Sequence, residues 1–198
     1  GIHVLVPRNM TKAAGFYNLL LEADEPAIVV EPLNGYRTKE ARPNNIGEFK
    51  IPLGVPEIVK EGTDLTIVSY GSTFNLCEVA AKQLAELGIN VELIDVQTLL
   101  PFDIHHVIAE SLEKTNRLLI VDEDVSSGAT GFMLDKILVE QKGYYHLDSA
   151  PVTLSAKDHR PAYSTDGDYF SKPSIDDIVE TAYSILHEAD PKAYPVLY

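Results

Sequence analysis

The stretch from residue 64 to 96 constrains the fold more than any other part of this chain. It begins with a short apolar, β-branched run, Leu65-Thr-Ile-Val68, which stops near Gly71 and is typical of a strand buried on both faces. A segment with apolar residues at helical spacing follows, and Gly88 is suited to end that helix. A second β-branched run occupies residues 91–96. This order predicts a βαβ unit with parallel strands and a right-handed crossover.

The first 37 residues predict a smaller unit of the same kind. Residues 3–6 and 27–31 are expected to form buried strands, joined by an amphipathic helix that Asn9 or Thr11 can cap. A loop at 32–37 follows the second strand. Because so short a unit cannot cover both faces of its own sheet, we expect it to be the end of another domain.

Strands and helices are also expected to alternate after the opening unit. Residues 98–103 are predicted to turn the chain into a short helix. Further strands are expected at 116–122 and 151–155, an irregular polar loop at 157–172, and a final amphipathic helix capped by Ser174. This pattern predicts an α/β fold in which a mostly parallel sheet carries helices on both faces.

Composition divides the chain into three regions. Residues 1–37 are the remnant described above, and residues 63–198 form the main domain. Between them, residues 38–62 are rich in proline, glycine and asparagine and lack periodicity, which predicts an extended linker. The chain starts with glycine and opens directly in a predicted strand, so we expect it to continue a longer protein.

Charge and cysteine usage exclude several classes of function. The net charge is −14, from 16 basic and 30 acidic residues, which argues against binding to nucleic acid or to an anionic membrane. It suits either docking with a basic partner or an ordinary acidic enzyme. The one cysteine, Cys77, falls on the apolar side of a predicted helix and is expected to serve packing in a reducing compartment. With no signal peptide or apolar run of membrane-spanning length, a cytoplasmic protein is expected.

The chain offers few motifs that carry chemistry. It has no GxGxxG, GxxxxGK[ST], GxSxG or HExxH pattern, so nucleotide, serine hydrolase and zinc protease sites have no support. Asp122, Glu123 and Asp124 follow a predicted strand, at the edge of the sheet where α/β sites lie. They suit Mg²⁺ or, as the favoured interpretation, docking of a basic partner. The lack of a catalytic constellation fits the assembly half of a larger enzyme.

Several segments together resemble a known family. Ile94-Asp-Val-Gln-Thr-Leu-Leu-Pro-Phe-Asp103 is similar to the C-terminal domain of transketolase-like proteins. More narrowly, the chain resembles the C-terminal region of the β subunit, or of a fused α–β chain, of the thiamine-dependent E1 component of 2-oxoacid dehydrogenase complexes. Supporting segments are Ile28-Val-Val-Glu-Pro32, Tyr70-Gly-Ser72 and the run from Lys114 to Asp124. The likeness extends over nearly the whole chain and is greatest to the branched-chain type.

The resemblance implies an activity that this chain shares with missing parts. The family decarboxylates a 2-oxoacid on thiamine diphosphate, held with Mg²⁺, and transfers the acyl group to lipoyl-E2. Residues 1–37 would be the end of the pyrimidine-binding domain, with the family's activating acid and histidine upstream of Gly1. We therefore assign no catalytic or cofactor-binding residue and expect the chain alone to be inactive, without tight binding of thiamine diphosphate. The alternatives are pyruvate dehydrogenase E1, another transketolase-like enzyme, or a non-catalytic binding module.

The resemblance also implies particular site residues. Main-chain carbonyls of Leu20, Ala23 and Glu25 would match a structural site for a monovalent cation, with K⁺ as the candidate ion in the full enzyme. Arg37 would line the substrate channel, with a loop salt bridge as its alternative role.

The resemblance implies protein partners as well. They are the E1 α subunit or a fused α region, a second copy of the E1 β subunit, and the basic peripheral-subunit-binding domain of E2. The acidic run at residues 122–124 is the expected docking position for this last domain.

Overall fold

The computed structural model describes residues 1–160 and 163–196. None of the helices it describes has both the length and the apolar character needed to cross a membrane. The strands are β1 (His3–Leu5), β2 (Ala27–Val29), β3 (Glu57–Lys60), β4 (Leu65–Ser69), β5 (Val91–Asp95), β6 (Thr98–Leu100), β7 (Leu118–Val125) and β8 (Val152–Ala156). The α-helices are α1 (Met10–Leu20), α2 (Gly71–Glu86), α3 (Val107–Thr115), α4 (Ala129–Leu134), α5 (Ser164–Ser171) and α6 (Ile175–Ala189).

Five strands form the large sheet, in the order β3-β5-β4-β7-β8. Strands β5, β4, β7 and β8 are parallel to one another, and β3 is added antiparallel at the edge of the sheet. All five residues of β4 and of β5 are buried, as expected for central strands covered on both faces. On one face the apolar core includes side chains of α2 and α6, and on the other it includes those of α3 and of the helical region that begins with α4.

The predicted βαβ unit is confirmed as β4, α2 and β5, with Leu65 paired to Val91 and Ser69 paired to Asp95. Cys77 on α2 is fully buried, as its predicted packing role requires. Ser174 caps α6 as predicted, and the side chain of Asp177 accepts from the Ser174 backbone N–H in return, which completes a capping box.

Three strands form a second, smaller sheet, in the order β2-β1-β6. β1 pairs in parallel with β2, as a β-α-β unit requires. Asn9 caps the connecting helix α1, because its side chain accepts a hydrogen bond from the Lys12 N–H. On its other side β1 pairs antiparallel with β6, where Val4 lies opposite Leu100. The small sheet therefore combines two strands that precede the predicted linker with one strand that follows it.

Five local predictions differ from the structure. Helix α3 follows the 98–103 segment as expected, but the first part of that segment is strand β6. β2 is not buried, since it lies at the edge of the small sheet and Ile28 is 52% exposed. The predicted linker, residues 38–62, contains β3, and the predicted irregular loop at 157–172 contains α5. The loop at 32–37 forms a 3₁₀ helix, Leu33–Arg37.

Candidate functional site

A cleft of about 390 Å³ lies where residues 1–37, hereafter the N-terminal unit, meet the large sheet. We call it the junction cleft. It opens at the carboxyl ends of β4 and β7, the edge at which α/β sheets usually bind ligands. Gly71 adopts a φ of 59° at the start of α2, a conformation that glycine tolerates without strain. The lining residues are Val6, Val30, Glu31, Pro32, Leu33, Asn34, Tyr70, Gly71, Ser72, Thr73, Asp122, Glu123, Asp168 and Lys172.

The inner wall of the junction cleft holds a buried carboxylate. Asp122, on β7, is 2% exposed, and the Tyr70 hydroxyl donates to its Oδ2 at 2.6 Å. Burial raises the pKa of Asp122 above its ordinary value, although the bond from Tyr70 opposes the shift. Burial and the bond to Asp122 likewise raise the pKa of Tyr70, so this pair holds a proton firmly.

The neighbouring Glu123 faces the opposite way and is ionised. Lys172, just after α5, donates to its Oε2 at 2.9 Å, and Ser72 on α2 donates to its Oε1 at 2.8 Å. Partial burial works against ionisation, but these two hydrogen bonds outweigh it and lower the pKa of Glu123. The two hydrogen bonds connect β7, α2 and the end of α5 across the cleft.

A third carboxylate, Glu31, stands at the rim of the junction cleft on the side of the N-terminal unit. It accepts hydrogen bonds from the hydroxyls of Tyr17, at 2.7 Å, and of Tyr36. The bond from Tyr36, followed by that from Tyr17, lowers the pKa of Glu31. The hydrogen bond between Tyr17 and Glu31 raises the pKa of Tyr17 to about 12. Glu31 is therefore held as an anion.

The charge of the junction cleft decides which ligands suit it. Its lining includes four acidic residues, Glu31, Asp122, Glu123 and Asp168, against one lysine, Lys172. Such a cleft suits hydrogen-bond donors and cationic groups and disfavours phosphate groups, because like charges repel. Among the described residues, no group of three or more histidine, cysteine, aspartate and glutamate side chains is placed to hold a metal ion.

The three consecutive acids predicted for docking do not form one surface. Asp122 points inward to Tyr70, and Glu123 faces the cleft, where it pairs with Lys172. Asp124 is exposed, and its Oδ1 accepts from the backbone N–H of Val125 at 2.8 Å. Within this run, Glu123 and Asp124 are accessible to another molecule.

The other predicted site residues lie away from the cleft lining. Leu20, Ala23 and Glu25 surround the turn after α1, where the Leu20 carbonyl already accepts a hydrogen bond from the Ala23 N–H at 3.2 Å. Arg37 ends the 3₁₀ helix and is exposed. The cation site and the channel role of Arg37 stay predictions.

Sequence reasoning missed most of the polar contacts in the junction cleft. Tyr70 and Ser72 are signalled by their position directly after a buried strand, where α/β sites collect. Lys172 carries no such signal, because it meets Glu123 only after α5 has folded the region predicted as irregular. Glu31 is signalled only as a polar residue at the end of a β-branched run.

Comparison with known proteins shows which family and which subunits the chain is similar to. The family model "Transketolase, C-terminal domain" matches residues 54–172. A pyruvate dehydrogenase E1 β subunit from Acholeplasma laidlawii is 33% identical over 159 residues, 80% of this chain and 47% of that protein. A mitochondrial 2-oxoisovalerate dehydrogenase β subunit from Chaetomium thermophilum is 31% identical over 192 residues, 96% of this chain and 39% of that protein.

A third relative acts on a different kind of substrate. The β subunit of an acetoin:2,6-dichlorophenolindophenol oxidoreductase from Bacillus subtilis is 34% identical over 190 residues, 95% of this chain and 54% of that protein. The chain thus spans about half the length, or less, of these relatives.

Solved structures agree on the fold. An inactive β4 tetramer of a split-gene transketolase superposes with a TM-score of 0.74 at 22% identity, over 95% of this chain and 59% of that one. A transketolase mutant from Pichia stipitis superposes with a TM-score of 0.61 at 14% identity, over 93% of this chain and 25% of that one.

Proposed function

This chain belongs to the transketolase C-terminal domain family, and we propose that it is the C-terminal part of an E1 β subunit of a 2-oxoacid dehydrogenase. The observation that carries the proposal is the extent of the likeness. The family model begins at residue 54, whereas three of the E1 β relatives match 94–96% of the chain. The N-terminal unit therefore has counterparts in those β subunits, as the end of a pyrimidine-binding domain would. Thiamine-dependent decarboxylation and acyl transfer to lipoyl-E2 are the proposed activity of the whole enzyme, with this region serving assembly and docking.

We infer a branched-chain 2-oxoacid as the substrate, and the likeness to the 2-oxoisovalerate dehydrogenase β subunit over 96% of the chain supports it. Pyruvate is the alternative supported by the Acholeplasma relative, and acetoin is the one supported by the Bacillus relative. Identities of 33%, 31% and 34% to the three kinds of subunit do not rank them.

The described residues do not fit thiamine diphosphate by themselves. The junction cleft presents Glu31, Asp122 and Glu123 to any occupant, with Lys172 as the cation and already paired. A diphosphate there would meet like charge. We therefore derive no catalytic step on this chain, and the cofactor site of the proposed enzyme is assigned to regions outside it.

The first expected result concerns this cofactor. Titration of the chain with thiamine diphosphate and Mg²⁺ in a calorimeter should give no saturable heat at micromolar concentrations, since the only cationic group in the described lining of the junction cleft is neutralised. A single-site isotherm in the micromolar range would contradict the assignment of the cofactor site to other regions.

For docking, we propose that the acidic surface around Glu123 and Asp124 receives the basic peripheral-subunit-binding domain of E2. The net charge of −14 supports attraction of a basic partner, and complementary charge mainly raises the rate and orientation of encounter. The remaining proposed partners are an α subunit or fused α region and a second β copy. A cytoplasmic location, the cation site at Leu20, Ala23 and Glu25, and the channel role of Arg37 complete the proposal.

The second expected result tests docking. Asp124→Asn should weaken binding of an isolated, basic peripheral-subunit-binding domain by roughly 2- to 10-fold at low salt, with a smaller dependence on salt. Asparagine keeps an acceptor for the Val125 N–H, so the loop is preserved. Surface plasmon resonance at several salt concentrations measures both quantities.

The matched control is Glu140→Gln, which removes the same charge from an exposed pair with Lys136. Equal losses of affinity in the two variants would mean that the basic domain responds only to the net charge of the chain. That result would contradict the docking position assigned to Asp124. Absence of binding at low salt, by parent and variants alike, would favour a binding module without an E1 partner.

A further inference from the structure

An ion cluster joins the N-terminal unit to the large sheet. Arg8, three residues after β1, donates through Nη1 to Asp95 Oδ2 at 2.6 Å and to Glu57 Oε2 at 2.5 Å. Lys12, on α1, lies 2.7 Å from the same Glu57 oxygen. Glu57 begins β3 and Asp95 ends β5, so both cations come from one unit and both acids from the other. We call these four residues the bridging cluster.

The centre of the bridging cluster, the pair of Arg8 and Asp95, is held away from water. The Asp95 side chain is 0% exposed and that of Arg8 is 12% exposed. The Arg8 guanidinium also lies 5.3 Å from the centre of the Phe74 ring, on α2. Removing one member of a buried ion pair leaves its partner uncompensated in a site of low dielectric, which is far more costly than losing a surface pair. Arg8 makes every one of these contacts except that between Lys12 and Glu57.

A different kind of contact holds the N-terminal unit next to the bridging cluster. There β1 pairs with β6, and the Val6 N–H donates to the Gln97 carbonyl at 2.9 Å. Backbone pairing of this kind does not depend on charge. The unit is thus held by a short strand pairing and, at the neighbouring positions Arg8 and Asp95, by the bridging cluster.

The bridging cluster lies beside two cavities, one of which is the junction cleft. A second cavity, of about 390 Å³, is lined by Arg8 together with Asn9, Asn34, Ser72 and Asn75. It shares Pro32, Asn34 and Ser72 with the junction cleft. In both cavities one wall belongs to the N-terminal unit and the opposite wall to the start of α2. The distance between those walls depends on how the unit is seated.

We propose that Arg8 is a latch: it holds the N-terminal unit against the large sheet, and its release lets the unit pivot about the β1–β6 pairing and widen the junction cleft. This inference does not rest on the proposed enzymatic function. Arg8 is accordingly a positioning residue, which acts on a bound group only by setting the spacing of the walls around it.

The test compares Arg8→Met with Lys50→Met in the full chain. Lys50 makes an exposed pair with Glu22, so its loss removes one positive charge without touching the bridging cluster. Spin labels on Leu21→Cys and Val139→Cys report the separation of the unit from the large sheet by double electron–electron resonance. Both positions are exposed, and the buried Cys77 is protected from the label.

For Arg8→Met we expect a longer and broader distance distribution, and at least about tenfold faster hydrogen exchange in β1 and α1 with β4 unchanged. Lys50→Met should match the parent, and Arg8→Lys, which keeps the charge but not the planar fork, should fall between them. An unchanged distance in Arg8→Met would overturn the proposal. So would accelerated exchange in both sheets together, because Arg8 would then be a general stabilising residue. Should Arg8→Met not fold, the Arg8→Lys distribution decides by the same criterion.

Discussion

Replacing Gly62 with alanine is expected to lower the free energy of unfolding by about 3 kcal/mol or more. Gly62 is a buried residue in the connection that joins β3 to β4. A Cβ atom there would stand 2.1 Å from the Val91 carbonyl carbon and 2.3 Å from the Glu92 nitrogen. These are backbone atoms of β5, at the centre of the hydrogen-bonded core. They cannot move aside as a flexible side chain can, so the clash must displace strand β5 itself.

Urea unfolding followed by circular dichroism measures this loss as a lower midpoint with an unchanged slope. Gly47→Ala is the matched control, because Gly47 is exposed and no atom lies within 4 Å of its added Cβ. We expect its stability to stay within about 0.5 kcal/mol of the parent. A midpoint for Gly62→Ala equal to that of the control would refute the steric argument.

Asp95→Asn is expected to remove a pH dependence of stability worth about 2 kcal/mol between pH 4 and pH 7. Burial raises the pKa of Asp95 to about 6 even though Arg8 is bonded to it. The folded protein therefore binds a proton at Asp95 more tightly than the unfolded chain, in which the pKa is about 3.9. The stability that protonated Asp95 contributes is fully present below about pH 4 and is lost as pH rises through 6.

The measured quantity is the difference in unfolding free energy between parent and Asp95→Asn across this pH range. It should fall by about 2 kcal/mol as pH rises from 4 to 7, with most of the change between pH 4 and pH 6. The other charged members of the bridging cluster, Arg8, Lys12 and Glu57, are present in both proteins and cancel to first order. A difference that does not vary with pH would mean that Arg8 fully offsets the burial of Asp95.

The central part of the fold follows from local sequence patterns. Residues 65–69 and 91–95 are β-branched runs separated by a segment of helical periodicity, and both are strands buried on two faces, a situation in which the pattern is strongest. Ser174 predicts the start of α6 because its capping contacts lie within three residues. Signals of this kind need no knowledge of distant parts of the chain.

The features that sequence reasoning missed depend on distant partners. Strand β6 has three residues and no alternation of its own, and it is a strand because β1 lies beside it. Lys172 and Glu123 are 49 positions apart, and Arg8 and Asp95 are 87 apart, so neither pair is visible in a local window. The likeness to E1 β subunits identified the family, but the junction cleft and the bridging cluster required coordinates.

The position of β6 also has a consequence for synthesis on the ribosome. Strands β1 and β2 emerge early, yet the third member of their sheet is translated only after the whole of β3, α2 and β5. During that interval β1 keeps an unpaired edge, the kind of surface that invites aggregation or capture by chaperones. The small sheet thus cannot be completed before residue 100 has been made, although its first strand precedes all others in the sequence described.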